Sequence, residues 1–231
     1  MVLMKKIDLR RNYLLVLDVE TIGVNEKLVF DIGFIVADKK GNKYERRSYL
    51  VEEVFTDMER MSKAYYFKKY PTYIKELAAG VHTLEKWEVI LMDMYNLIKE
   101  YKITTVMAYN LQFDLSALQY TNNALRGREF KMFDNLIKQC IWGLSVQTIC
   151  QQKTFKRQIM ERGLLTASKK FMSTSAETVY KYITQNWDFE EAHQGLKDVE
   201  IEVDIMAKCY AQHKKHDKGI IAQPFKLAKV D

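Results

Sequence analysis

Cysteine, proline and histidine are scarce in this chain of 231 residues. The three cysteines, Cys140, Cys150 and Cys209, show no Cys-x-x-Cys spacing. An odd, unpaired set argues against a disulfide framework and for reduced thiols in an intracellular, cytoplasmic setting. With only four scattered histidines, a zinc site is not expected either. No apolar run is long enough to cross a bilayer, so no membrane association is expected. The opening residues, Met1 to Arg11, lack the apolar core of a signal peptide. Internal repeats and low-complexity linkers are absent as well.

What remains is an ordinary globular composition. Apolar residues make up 48% of the chain, ample for a core. The length favours one large domain over two small ones, and residues 1–213 are expected to form it. Residues 214–231 are polar and basic and are expected to be a mobile tail. The net charge of +6 fits a nucleic-acid partner and fits solvated surface lysine equally well.

Strand signals come first. Tyr13 to Val19 is a nearly continuous apolar run, the pattern of a central strand buried on both faces. Leu28 to Ala37 is a second strand, the turn Asp38-Lys39-Lys40-Gly41-Asn42 follows, and Lys43 to Val51 returns as a third. A helix is expected over Glu59 to Tyr70, interrupted by Pro71. Trp87 to Tyr101 carries Val89, Ile90, Met94, Leu97 and Ile98 at helical spacing. Thr104 to Tyr109 reads as a strand and Asp114 to Leu125 as a helix. The stretch Arg126–Ser175 is expected to hold a strand near Cys140–Trp142 and a helix across Val146–Glu161. Ser175 caps a helix reaching Gln185, and a last helix runs from about Leu196 to Gln212 with Leu196, Val199, Val203, Met206 and Tyr210 as its core stripe. Strands followed by alternating helices and strands make an α/β domain on a mixed sheet.

Acidic residues stand out against this apolar background. Asp18 and Glu20 are two residues apart on the first strand, so both side chains leave the same face. Two carboxylates that close repel, and one holds a proton unless a cation lies between them. Hard oxygen ligands select Mg²⁺ or Mn²⁺ over softer metals. Asp114 opens a helix after a buried-looking strand, where it also suits the helix dipole. Asp198 lies beside Val199 on the boundary of the last helix's buried face, with His193 five residues earlier as a candidate general base. Lys197 and Glu200 read as solvated charges.

Three motifs in order carry a resemblance. Asp-x-Glu-Thr-x-Gly is complete at residues 18–23, Asn-x-x-Phe-Asp at 110–114 and His-x4-Asp at 193–198. Over about Tyr13 to Ala211 the chain resembles the DEDDh exonucleases of the ribonuclease H-like superfamily. Those include the proofreading subunit of bacterial DNA polymerase III, ribonuclease T and oligoribonuclease. Gly195 stands where the third motif commonly has alanine, and Arg126–Ser175 is longer and more basic than the family pattern. The resemblance implies a ribonuclease H-like mixed sheet, an antiparallel meander followed by parallel strands, flanked by helices. It implies a 3′–5′ exonuclease that releases 5′-mononucleotides from single-stranded DNA or short RNA with two Mg²⁺ or Mn²⁺ ions. Asp18 would bridge the ions, Glu20 and Asp198 would complete the first site, Asp114 would support the second, and His193 would take a proton from the attacking water. Thr21, Ile22, Asn110 and Phe113 fall at substrate-binding positions of the motifs; Phe113 is as well explained by core packing.

Several weaker signals accompany these. His82 sits loosely where proofreading subunits have a histidine, and a surface histidine explains it as well. Lys153, Lys156, Arg157, Arg162, Lys169 and Lys170, with Phe155 and Phe171 interleaved, form either a phosphate-tracking groove or a solvated helix face. Gln223-Pro224-Phe225-Lys226-Leu227 faintly resembles a docking peptide for a sliding clamp. A polymerase is a further expected partner, and the oligomeric state is open. A non-catalytic ribonuclease H-like module that binds nucleic acid or tethers a polymerase is the alternative, which intact ligands and base argue against. The Lys- and Ile-rich, Pro-poor composition fits a bacterial or phage origin.

Overall fold

A computed structural model describes residues 7–217 and 223–230. Its centre is a six-stranded mixed sheet in the order β4-β3-β2-β1-β5-β6. Strands β1 (Tyr13–Thr21), β2 (Val29–Asp38) and β3 (Lys43–Val51) form the expected antiparallel meander. The short β4 (Thr83–Glu85) runs parallel to β3, β5 (Thr105–Ala108) parallel to β1, and β6 (Ile137–Cys140) parallel to β5. Helices α1 (Glu52–Phe55), α2 (Met58–Met61), α3 (Tyr70–Ala78), α4 (Trp87–Glu100) and α5 (Leu111–Arg126) come from the first half of the chain. Helices α6 (Ile141–Thr148), α7 (Lys153–Glu161), α8 (Ala176–Thr184) and α9 (Gly195–Tyr210) come from the second. The expected α/β architecture, an antiparallel meander followed by parallel strands and flanked by helices, is thus the observed one.

Strand alternation divides the core in two. Leu15, Leu17 and Val19 of β1 pack with Trp87, Ile90, Met94 and Leu118 on one face of the sheet. Leu14 and Val16 of β1, with Ile35 and Ala37 of β2, pack with Val199, Val203 and Met206 of α9 on the other. Asp18 and Glu20 continue the Leu14–Val16 series, so they emerge on the α9 face.

Helix α9 lies against β2 with almost no side chain between them. A Cβ placed on Gly33 would stand 2.1 Å from the backbone nitrogen of Leu196, and one on Gly195 would stand 2.5 Å from the nitrogen of Gly33. Gly33 is also the β2 partner of Asp18 across the sheet. Two residues away Asp31, fully buried on the same face of β2, accepts a 2.9 Å hydrogen bond from the Gly195 N–H and a 2.8 Å bond from the Tyr73 hydroxyl. A buried carboxylate at the helix N-terminus complements the dipole and satisfies a first-turn donor.

Several expectations need correction. The helix expected over Glu59–Tyr70 stops at Met61, and after turns and a 3₁₀ segment (Phe67–Lys69) α3 starts at Tyr70. Pro71 therefore opens a helix rather than interrupting one, because its missing N–H lies where no intrahelical bond is needed. The helix expected across Val146–Glu161 is two helices separated at residues 149–152, and β6 ends at Cys140 because α6 begins at Ile141. Part of the expected mobile tail is packed. Pro224–Leu227 forms a 3₁₀ turn, Phe225 stacks on Trp142 at 6.1 Å, and Ala228 is fully buried. Residues 218–222 and 231 of that tail lie outside the described residues.

The close approach yields a prediction. Gly33→Ala forces backbone apart, and overpacking of this kind costs about 1–3 kcal/mol or more. Urea unfolding should show a clearly lowered midpoint; a wild-type midpoint would mean that α9 does not need this contact.

Candidate active site

Each acidic side chain arrives from a different element. Asp18 and Glu20 sit half-buried towards the end of β1. Asp114 occupies the first turn of α5, only 2% exposed, where the Val19 N–H, between Asp18 and Glu20 in sequence, favours its charged form. Asn110 starts that turn in the left-handed region (φ 74°), a conformation asparagine tolerates better than most residues. Asp198 lies in the first turn of α9, where its Oδ2 accepts a 2.8 Å bond from the Gln194 N–H. Its other oxygen is left for the site.

His193 joins them from the loop before α9. Ligating atoms of Glu20, His193 and Asp198 all lie within 4.8 Å of one another. The His193 backbone is left-handed (φ 47°), and its ring is stacked 4.7 Å from Tyr66 at 14°. Backbone strain of this sort persists where the surroundings over-determine it. Lys69 donates to the carbonyl of Ala192 and lies over the Tyr66 ring, so the residues before His193 are tied down.

The electrostatics are those of a crowded anion cluster. Burial, followed by a nearby carboxylate, pushes Asp198 up to about 8, and burial takes Asp114 to about 8. Burial and carboxylate neighbours raise Asp18 and Glu20 well above the ordinary range; Glu202 acts on Asp18 and Asp31 on Glu20. Burial first and Lys69 second hold His193 below the ordinary imidazole value. Among the described residues no lysine or arginine forms an ion pair with Asp18, Glu20, Asp114, Asp198 or Glu202. Two buried carboxylate oxygens here, Oε2 of Glu202 and Oδ1 of Asp31, have no hydrogen-bond partner among the described residues. Hard, under-compensated oxygens with one imidazole at the edge fit a divalent cation of the Mg²⁺ or Mn²⁺ type. The three cysteines are buried and unpaired and have no part in it.

Two cavities meet at Asp18 and Tyr109. One of about 500 Å³ is lined by Glu20, Thr21, Ile22, Tyr66, Phe113 and His193. The other, about 610 Å³, is lined by Asn110, Trp142, Phe171, Glu202 and Phe225. Thr21, Ile22 and Phe113 therefore share a pocket, whereas Asn110 faces its neighbour. Phe113 also lies under Lys27, 5.6 Å from its ring centre.

Other sequence-singled residues fall elsewhere. His82 is buried, 2.7 Å from the Ser48 hydroxyl and 3.1 Å from Glu76, which in turn bonds Gln194 and Lys197. It supports the start of α9 and is no surface histidine. Lys197 and Glu200 are ion-paired, to Glu76 at 2.6 Å and to Lys43 at 2.6 Å, rather than merely solvated. Phe155 is core, Phe171 lines the larger cavity, and the α7 basic residues lie along a helix with Lys153 and Arg157 exposed. Pro224 is buried and Phe225 stacked, so a clamp would have to unseat both. Sequence reading missed Asp31, Tyr66, Lys69 and Glu202. Only Glu202 left a signal, its spacing of four from Asp198 on one helix.

No protein-family profile matches the chain, and no curated protein matches its sequence. Solved structures do match. A complex of E. coli exonuclease I with a dT13 oligonucleotide aligns with a TM-score of 0.57 at 12% identity, covering 88% of this chain. The chain shares the fold of part of E. coli exonuclease I. An exonuclease I complex with an SSB C-terminal segment gives 0.57 at 13% identity over 87% of the chain, and a product-bound exonuclease I gives 0.54 at 16% over 86%. The match spans 42%, 42% and 43% of those proteins' own length, so it concerns less than half of exonuclease I. Among the described residues no helix is long and apolar enough to cross a membrane.

The raised carboxyls set a pH dependence. A carboxyl raised on folding contributes fully below its unfolded value of about 4 and loses that contribution as pH climbs through its folded value. With Asp114 and Asp198 at about 8, the metal-free protein should melt at progressively lower temperature as pH rises from the acid side through 8. Mn²⁺ should flatten that slope. Melting curves with and without the ion at each pH check both halves.

Proposed function

We propose that this chain is a divalent-metal-dependent 3′–5′ exonuclease that hydrolyses terminal phosphodiesters of single-stranded DNA or short RNA and releases 5′-mononucleotides. The observation that carries the reading is the meeting of Glu20, His193 and Asp198 within 4.8 Å, beside Asp18 and Asp114. Two ions held by Asp18, Glu20, Asp198 and Asp114 would supply charge neutralisation at the phosphodiester and a more acidic water.

The chain's own residues do the rest. His193, kept neutral by burial and by Lys69, accepts the proton of the attacking water. The water oxygen bonds to phosphorus, the bond from phosphorus to the 3′ oxygen breaks, and that oxygen leaves as a hydroxyl after protonation from solvent. Tyr66 holds the imidazole plane against the cluster. Thr21, Ile22 and Phe113 line the pocket for the terminal nucleotide. The strand upstream crosses Asp18 into the cavity walled by Asn110, Trp142, Phe171 and Phe225, where aromatic faces accept any base. The oligonucleotide complexes of the fold's counterpart support a single-stranded substrate.

An end-labelled oligonucleotide with Mg²⁺ or Mn²⁺ should shorten stepwise from its 3′ end, and chelation should stop it. Asp18→Ala and His193→Ala should each lower the rate by about 10³-fold or more, because these groups act as a unit. Shortening at wild-type rate by either variant would overturn the assignment. DNA and RNA versions of one oligomer, single- and double-stranded, identify the preferred substrate. Calorimetry without divalent-ion uptake would instead favour a binding module.

A further inference from the structure

Glu202 has no task in the reading above. It lies one helical turn beyond Asp198 on α9, so both side chains leave the same side of the helix. It is 2% exposed and lines the larger cavity together with Asp18. Among the described residues its Oε2 has no hydrogen-bond partner. Its charged neighbours include Asp114, Asp198 and Asp18, all of the same sign. The surrounding helix positions Val199, Val203, Ile205 and Met206 are all apolar and fully buried. A glutamate among them is unfavourable to folding unless a cation meets it.

We propose that Glu202 is a direct ligand of the second divalent ion, on the larger-cavity side of Asp18, where ion binding would draw it together with Asp18 and Asp114. The proposal rests on the two-ion reading. Glu202 lines the same cavity as Asp18 and has an unpartnered oxygen to offer that site in place of water. A site with three carboxylates holds a hard cation more tightly than one with two, since affinity follows the charge count of the ligands. The competing role is a neutral acid that only fills space. Glutamine has the shape of that neutral acid, so Glu202→Gln separates the two.

The test titrates Mn²⁺ into the full chain by calorimetry and counts bound ions by electron paramagnetic resonance. Wild type should take up two Mn²⁺ with the spectrum of a coupled pair. Glu202→Gln should keep one ion at wild-type affinity and bind the other about 10- to 100-fold more weakly, a loss at least as large as outer ligand partners produce. Its metal-free melting temperature should equal or exceed wild type, because glutamine has the shape of the protonated acid and cannot add charge to the cluster. Glu202→Asp, which keeps the charge on a shorter arm, should also weaken the second ion and serves if the glutamine variant does not fold. Two ions bound at wild-type affinity by the folded variants would overturn the role of Glu202 alone. Fewer than two on the wild type would overturn the two-ion reading along with it.

Discussion

The backbone contact between Gly33 and Gly195 is the constraint from which the site follows. Helix α9 carries Asp198 and Glu202, and the loop before it carries His193. These groups reach β1 only because no side chain separates the helix from β2 at that point. Asp31 fixes the helix start through the Gly195 N–H, and the His82–Glu76–Gln194 chain steadies it from the other side. Residues far from the chemistry thus determine where the imidazole and two of the carboxylates stand.

Against that packing works a strong repulsion. Asp18, Glu20, Asp114, Asp198 and Glu202 lie together with little positive charge near them, and burial deepens the cost of ionising each. Tight packing elsewhere offsets it: apolar layers cover both faces of β1, which lies between β2 and β5 in the sheet. A protein optimised for stability alone would place leucine or valine at such positions. Carboxylates at such positions are what the proposed cation site would require.

Much of this was legible in the chain, and the limits are physical. Period-two alternation gave the parity of Asp18 and Glu20, and the β1–β3 meander followed from apolar runs and one turn. His193 and Asp198 were legible as a pair because helical spacing is local. Asp31 was not, since its role depends on a helix 164 positions away in sequence. The helix expected over 59–70 failed because charged and aromatic residues there serve the site and the core, with Tyr66 against His193 and Tyr70 against Phe55, in preference to a regular helical face. In the tail, polar composition gave no sign that Phe225 would stack on Trp142 or that Ala228 would be buried, since tertiary contacts with no local signature seat both.

The placement of the carboxylates on β1 has a consequence for strand pairing. Opposite them across the sheet stand Gly33 and Asp31, and behind the strand lies the layer of Trp87, Ile90 and Met94. A slip of one residue would drive Asp18 and Glu20 into that apolar layer and expose Leu17 and Val19 to the cations' side. Every mispaired alignment of that parity is therefore penalised twice, by buried charge and by lost burial. The same two side chains that are proposed to hold the ions also make the central strand intolerant of misalignment.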